Sequence, residues 1–593
     1  MRHRSAACIF CALLFPAMLS AQTPPPDTLF VHGDILTGAH LLPHDPDPTP
    51  ARVHALALRD GRITAVGDDA QILALKGPET KIVDLHGAFA MPGFNDAHTH
   101  IALAGKQHLD ADLNGVTSLA DMQSRLAAYA KTLAPEDKDD SKDEIWILGG
   151  GWDQTKWPSK TLPTRKNLDA VTGSHPTLLY RVDYHIAVAN TLALNAAHID
   201  DLTPDPSGGH IDRDAHGHAT GILREDSALR LILQHIPPPS FATRRKALLL
   251  SIHDALAHGV TSLQDFSDWD DWLVLEELEH EDQLPIRIAE WIDFNLPSSI
   301  LEARRASHDP NDPLLHLTSL KGFMDGSLGS RTAAMNDPYS DDPDNYGIPR
   351  FQQDKLNQMA AARAADGFQI NFHAIGDRAN DMALDALAAA EQVGRPADFP
   401  APPRNPDAAI VTESTPTITP RDFRFRIEHA QVVSAGAFQR FHDLGIIASM
   451  QPAHLLDDMA WAAARLGPER SKYAYAWRSF LDHGVTLAFG TDYPVVPINP
   501  FLGLYAATTR MNLAGTQTFG PQEKITLNQA LYAYTQGSAF AEFREHIKGR
   551  LAPGFLADLI VLDHDPTTAT PQQLLHTRVL RTIVGGVTRY TAP

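Results

Sequence analysis

Between residues 89 and 545, apolar strand-like runs alternate with Ala/Leu-rich helical stretches, and this alternation predicts an α/β fold, a TIM-like (β/α)8 barrel. Two further observations refine the prediction. Short β-rich runs at both chain ends predict a small β-sandwich domain formed by the N- and C-terminal segments. Several barrel runs end in a histidine or an aspartate, and the C-terminal ends of barrel strands are where such a fold builds its chemistry. At 593 residues the chain exceeds one ordinary domain, yet an elaborated barrel absorbs several hundred residues.

The chain opens with Arg2 and Arg4, an apolar run from Ala6 to Leu19 and the small pair Ser20-Ala21, the pattern of a cleaved signal peptide over 1–21 and hence of a periplasmic or secreted protein. Pro16 interrupts the run, which is too short for a stable membrane span. Cys8 and Cys11, the two cysteines, fall inside this leader, so the mature chain has neither thiolate chemistry nor a disulfide. Leu29–Leu36 and Val53–Val66 read as a small antiparallel sheet within 22–88, and Pro43–Pro48 as an exposed loop. Barrel strands are expected at Val260–Gln264, Ile286–Trp291, Phe368–Phe372, Phe425–Ile427, Ile446–Met450 and Val485–Phe489. The stretch from about 105 to 245 breaks the rhythm and reads as an insertion after the first barrel strand, with one strand at Ile145–Leu148 and a helix, Ala242–Ala257, where the barrel resumes. A second insertion, Arg395–Pro420, holds seven prolines in 26 residues and reads as a surface loop. Residues 546–593 return to β-structure and complete the sandwich.

With 43% hydrophobic and 21% charged residues the composition is that of a folded chain, and a formal net charge of −22 argues against nucleic acid as a partner. A homo-oligomer is compatible with this composition, which does not specify one.

The run Ala88–Asp96 leads into His98-Thr99-His100. In an extended strand, residues two apart share a side, so both imidazoles project together, as two ligands of one metal must. Among 29 histidines such a pair also arises by chance. What adds weight is recurrence: His373, His429 and Asp492 each follow a later strand-like run, and in a barrel those ends converge. The acidic run Asp265–Asp271, with Trp269 and Trp272, reads as a solvated loop.

These segments resemble the metal-dependent amidohydrolase superfamily, and more closely its family 3, the YtcJ-like proteins that include N-substituted formamide deformylases. The resemblance spans almost the whole mature chain: Pro92–His100, Gly150–Asp153, Asp325–Ala333, His373–Asp377, Ile427–His429, Gly490–Asp492 and Gly554–Asp558. It implies one or two divalent ions, Zn2+ first, held by His98, His100, His373, His429 and Asp492, with Lys321 carboxylated as a bridging carbamate. The alternative for Lys321 is an ion pair with Asp325. The resemblance further implies hydrolysis of a small amide-like substrate, N-formyl or cyclic amides included, by a metal-activated hydroxide, with Asp492 relaying the proton and Trp152, Tyr184, His185, Arg331 and His454 lining the pocket. An esterase or isomerase on the same metal, or an exported protein that binds without turnover, are the competing readings.

Overall fold

A computed structural model describes residues 24–42, 49–133, 145–182, 185–393 and 422–593. The leader, the 43–48 loop, Tyr184 and the Arg395–Pro420 insertion lie outside the described residues.

Eight strands, β1 (Phe94–Thr99), β2 (Val260–Asp265), β3 (Arg287–Asp293), β4 (Leu315–Phe323), β5 (Gln369–Ala374), β6 (Arg426–His429), β7 (Ile447–Met450) and β8 (Leu487–Phe489), form one parallel sheet in sequence order. Helices follow most of them and cover the outside, so the strands are buried on both faces and read as near-continuous apolar runs. The ring is nearly closed between β8 and β1, where Asp492 N donates to His98 O at 2.7 Å and His100 N to Tyr493 O at 2.8 Å. Gly490 permits this approach: a Cβ there would stand 2.5 Å from His98 N. β4 is the strand the apolar pattern missed, because His316, Ser319 and Lys321, all buried, interrupt it.

The chain ends form two facing sheets. One runs 62–67, 55–59, 28–31, 81–84, and the other 587–591, 579–584, 559–562, 89–92, 34–36, 52–53. Phe30, Leu56 and Ile63 of the first share a core with Ile35, Ala90, Leu559 and Ile583 of the second. Side chains alternate across a strand, so Ala90 enters this core while Phe89 and Met91 pack in the barrel core. The strand preceding β1 thus joins the two bodies. The first sheet is mixed rather than antiparallel, since Thr28–Val31 pairs in parallel with Lys81–Asp84; the helix Asp69–Leu73 lies in the connection that brings the chain back.

The stretch after β1 carries more than the single expected strand. Its sheet runs 210–213, 219–224, 186–189, 177–181, 147–152, 111–112 and has apolar clusters on its own helices. Short strands and the Gly149-Gly150-Gly151 run, glycines in a conformation other residues avoid, hid this sheet from the apolar pattern. No described helix is long and apolar enough to cross a membrane.

Candidate metal centre

Two groups of potential ligands converge at the C-terminal ends of the strands and share one carboxylate. His98, His100 and Asp492 form the first and His429, His454 and Asp492 the second, with donor atoms within 4.8 Å of one another in each. Asp492 Oδ1 faces His98 Nε2 at 3.5 Å and His100 Nε2 at 3.2 Å, while Oδ2 faces His454 Nε2 at 3.6 Å. His429 and Asp492 both hold left-handed backbone, φ 71° and 62°. Non-glycine residues hold such angles only where the surroundings enforce them, which is common at functional sites.

Electrostatics keeps His98, His429 and Asp492 in ligand form. Burial pushes the His98 and His429 imidazoles well below their ordinary range, with neighbouring Lys321 and His373 respectively adding to it, so both rings stay neutral. For Asp492 burial works in the opposite direction, but His100, His429 and His454 outweigh it and hold the carboxyl below the usual carboxylate range. His100 is raised: burial opposes its charge, and the Asp492 carboxylate overcomes that. His429 Nδ1 and His454 Nε2 are buried without hydrogen-bond partners. The neutral imidazoles of His98 and His429, an ionised carboxylate and the unpartnered ring nitrogens of His429 and His454 are a donor set that fits a divalent cation, which would displace the proton that Asp492 favours on His100.

Lys321 is fully buried, with Nζ 2.9 Å from His98 Nε2 and over the rings of Trp291 and Phe323. Burial pushes its ammonium down to about 8, the Glu428 and Asp492 carboxylates working against it. The expected alternative partner, Asp325, is engaged elsewhere: it accepts from the backbone N–H groups of Ala334, Ile375 and Gly376 at 2.9–3.1 Å, latching the Asp-Gly-Ser loop to the end of β5. His373 sits beside this latch, with Nε2 3.1 Å from Gly326 O and its ring 4.5 Å from that of His429. It adjoins the cluster, whereas His454, expected to touch substrate, stands among the convergent donors.

The other expected pocket residues are not brought to the cluster. Trp152 is fully buried in the core of the insertion, its indole N–H donating to Leu179 O at 3.1 Å. His185 is exposed and pairs with Glu225 at 3.0 Å; Arg331 forms a two-bond fork with Asp341. Asp265 and Asp271 correct the solvated-loop reading. Asp265 is buried and accepts from Thr99 Oγ1, Ile101 N and Ser267 Oγ at 2.5–2.8 Å, fixing the backbone on both sides of His100, and Asp271 is paired with Arg244.

Three supporting groups escaped the sequence. Asp96 accepts from Thr491 N, Thr491 Oγ1 and His98 N, tying β1 to the Asp492 loop. Burial pushes its carboxyl up to about 7, those donors opposing it. Gln451, with Tyr475 and Trp477, lines a small cavity beside His429 and His454. Glu428 is buried, with Oε1 2.8 Å from Arg426 Nε and Oε2 2.9 Å from His98 Nδ1. Oε2 and Nδ1 are close without being aligned for a hydrogen bond, and the negative charge of the carboxylate beside Nδ1 favours the ring proton on that nitrogen, with Nε2 left as the donor facing Asp492. Glu428→Gln is therefore expected to weaken metal binding by about 10–100-fold, read by chelator competition, and unchanged affinity would remove Glu428 from this role.

A parallel barrel carrying a buried histidine–aspartate cluster at its strand ends defines the class as a metal-dependent hydrolase. The sequence profile described as "Amidohydrolase family" matches residues 81–590, and the chain belongs to that family. It is 34% identical to Protein LONG AFTER FAR-RED 3 of Arabidopsis thaliana, over 97% of this chain and 94% of that protein. It is 30% identical to YtcJ of Bacillus subtilis strain 168 (90% and 95%) and 26% identical to the N-substituted formamide deformylase of Arthrobacter pascens (90% and 94%). The crystal structure of an uncharacterized metal-dependent hydrolase from Pyrococcus horikoshii superposes with a TM-score of 0.73 at 28% identity, covering 92% of this chain and 99% of that one. The activity of the present chain, as a member of the amidohydrolase family with this metal-ligand cluster, is metal-dependent hydrolysis of a carbon–nitrogen-type bond.

Proposed function

We propose that the substrate is a small N-acyl compound, N-formyl and cyclic amides included, and that the cation is Zn2+ held by His98, His100, His429, His454 and Asp492, with His373 at the edge of the set. The observation that carries the reading is the single carboxylate, Asp492, shared by both histidine groups. A bound divalent cation would supply Lewis acidity at the scissile carbonyl and lower the pKa of a water from about 15.7 towards 7. Asp492 takes the proton of the attacking water at Oδ2, the oxygen turned from His98 and His100 towards His454, and returns it to the leaving nitrogen. His98 and His100 are held in place for this by Glu428 and Asp265. Gln451, Tyr475 and Trp477 line the side next to His454. Support for an amide comes from the family and from the deformylase among the relatives. The leader pattern adds export to the proposal.

Hydrolysis of N-formyl, N-acyl, cyclic-amide and ester substrates by the zinc-reconstituted protein tests the reading. Turnover of at least one amide class above the esters is expected. Ester turnover without any amide turnover would replace this proposal with the esterase.

A further inference from the structure

A second group of ligand atoms lies on the opposite face of the barrel. The helix Trp269–His280 runs back from the catalytic end, and its last two turns carry Glu276 and Glu279; the segment after the helix Ser298–Arg305, which leads into the start of β4, carries His308 and Asp312. Donor atoms of Glu279, His308 and Asp312 fall within 4.8 Å of one another. His308 Nε2 stands 3.4 Å from Glu279 Oε2, yet His308 Nε2 and Glu279 Oε1 are buried without hydrogen-bond partners. Two ligands of one tetrahedral zinc, at about 2.0–2.2 Å each, stand roughly 3.3–3.5 Å apart, so this spacing suits a shared ion.

The surroundings agree. The other ring nitrogen, Nδ1, faces Glu276 Oε1 at 3.4 Å, the carboxylate that orients a metal-binding imidazole and sets its tautomer. The ring is packed edge-on against Trp272, 5.2 Å between centroids. Asp312 Oδ1 accepts from Leu314 N and Leu315 N, which fixes the carboxylate at the start of β4. Three carboxylates thus surround one imidazole, and the nearby guanidinium of Arg287 is committed to Asp558 and Pro313 O.

We propose that Glu279, His308 and Asp312 form a second, structural zinc site that clamps the helix after β2 to the segment entering β4, with water completing the coordination. It lies at the face of a barrel that serves stability rather than chemistry.

Zinc content and zinc-dependent thermal unfolding of the full chain decide the matter. The variant His98→Ala/His100→Ala/Asp492→Asn, which dismantles the catalytic cluster, is expected to keep one equivalent of zinc and a zinc-dependent rise in Tm; adding Asp312→Asn should abolish both. In the otherwise unaltered protein, Asp312→Asn should hold one equivalent less with kcat/KM on the zinc-loaded enzyme unchanged, a measurement that stands even where the combined variant fails to fold. Equal zinc content with and without Asp312→Asn, in either background, overturns the proposal and leaves an ion-paired imidazole.

Discussion

Asp492→Asn is expected to lower kcat/KM by about two to four orders of magnitude, a loss of roughly 3–5 kcal/mol of transition-state stabilisation. The substitution conserves shape and keeps an oxygen towards His98 and His100, but it removes both the negative charge shared by the two histidine groups and the oxygen that accepts a proton. Two effects are therefore superposed, and metal content measured beside rate separates them. Loss of the shared charge shows as zinc released at lower chelator concentration. Loss of the proton relay shows as a rate that stays low when zinc is supplied to saturation. A zinc-saturated variant hydrolysing at the rate of the unaltered enzyme would end the relay proposed for Asp492.

How far such a residue can be read from sequence depends on where its partners lie. His98, His100, His429 and Asp492 stand at or just beyond the ends of apolar strands, a local pattern, and the barrel brings them together. His454 lies four residues beyond the end of β7, at the start of a short helix, so nothing local distinguishes a ligand from a pocket lining. Asp96, Asp265 and Glu428 are charged residues within strands. For Asp96 and Asp265 burial is made tolerable by donors far away in sequence, Thr491 and Thr99, which only the closed barrel supplies, and for Glu428 by the Arg426 guanidinium two residues back, which the fold buries beside it. Trp152 shows the converse. A tryptophan after a glycine run looks the same from the sequence whether it faces a ligand or a core, and here the core of the insertion takes it. The barrel was legible because its strands are buried on both faces; the insertion's sheet, with its glycine-rich and two-residue strands, was not.

Lys321→Ala is expected to cost at least about 100-fold in activity, and part of that loss should return when a short carboxylic acid is added in solution. An ammonium 2.9 Å from His98 Nε2 repels the cation that His98 is placed to hold. A carbamate on the same nitrogen reverses the sign: the neutral amine adds carbon dioxide, one proton leaves, and the resulting anion can bridge the two histidine groups. The amine must first be unprotonated, and the burial that brings its pKa down to about 8 makes that form roughly two orders of magnitude more abundant at neutral pH than in a free lysine. The packing against Trp291 and Phe323 keeps water from the nitrogen. Rescue by an exogenous carboxylate, together with an intact-protein mass higher by one carbon dioxide in the unaltered chain, is the expected pair of results. Full activity in Lys321→Ala would exclude the bridge and leave Asp492 as the only anion joining the two groups.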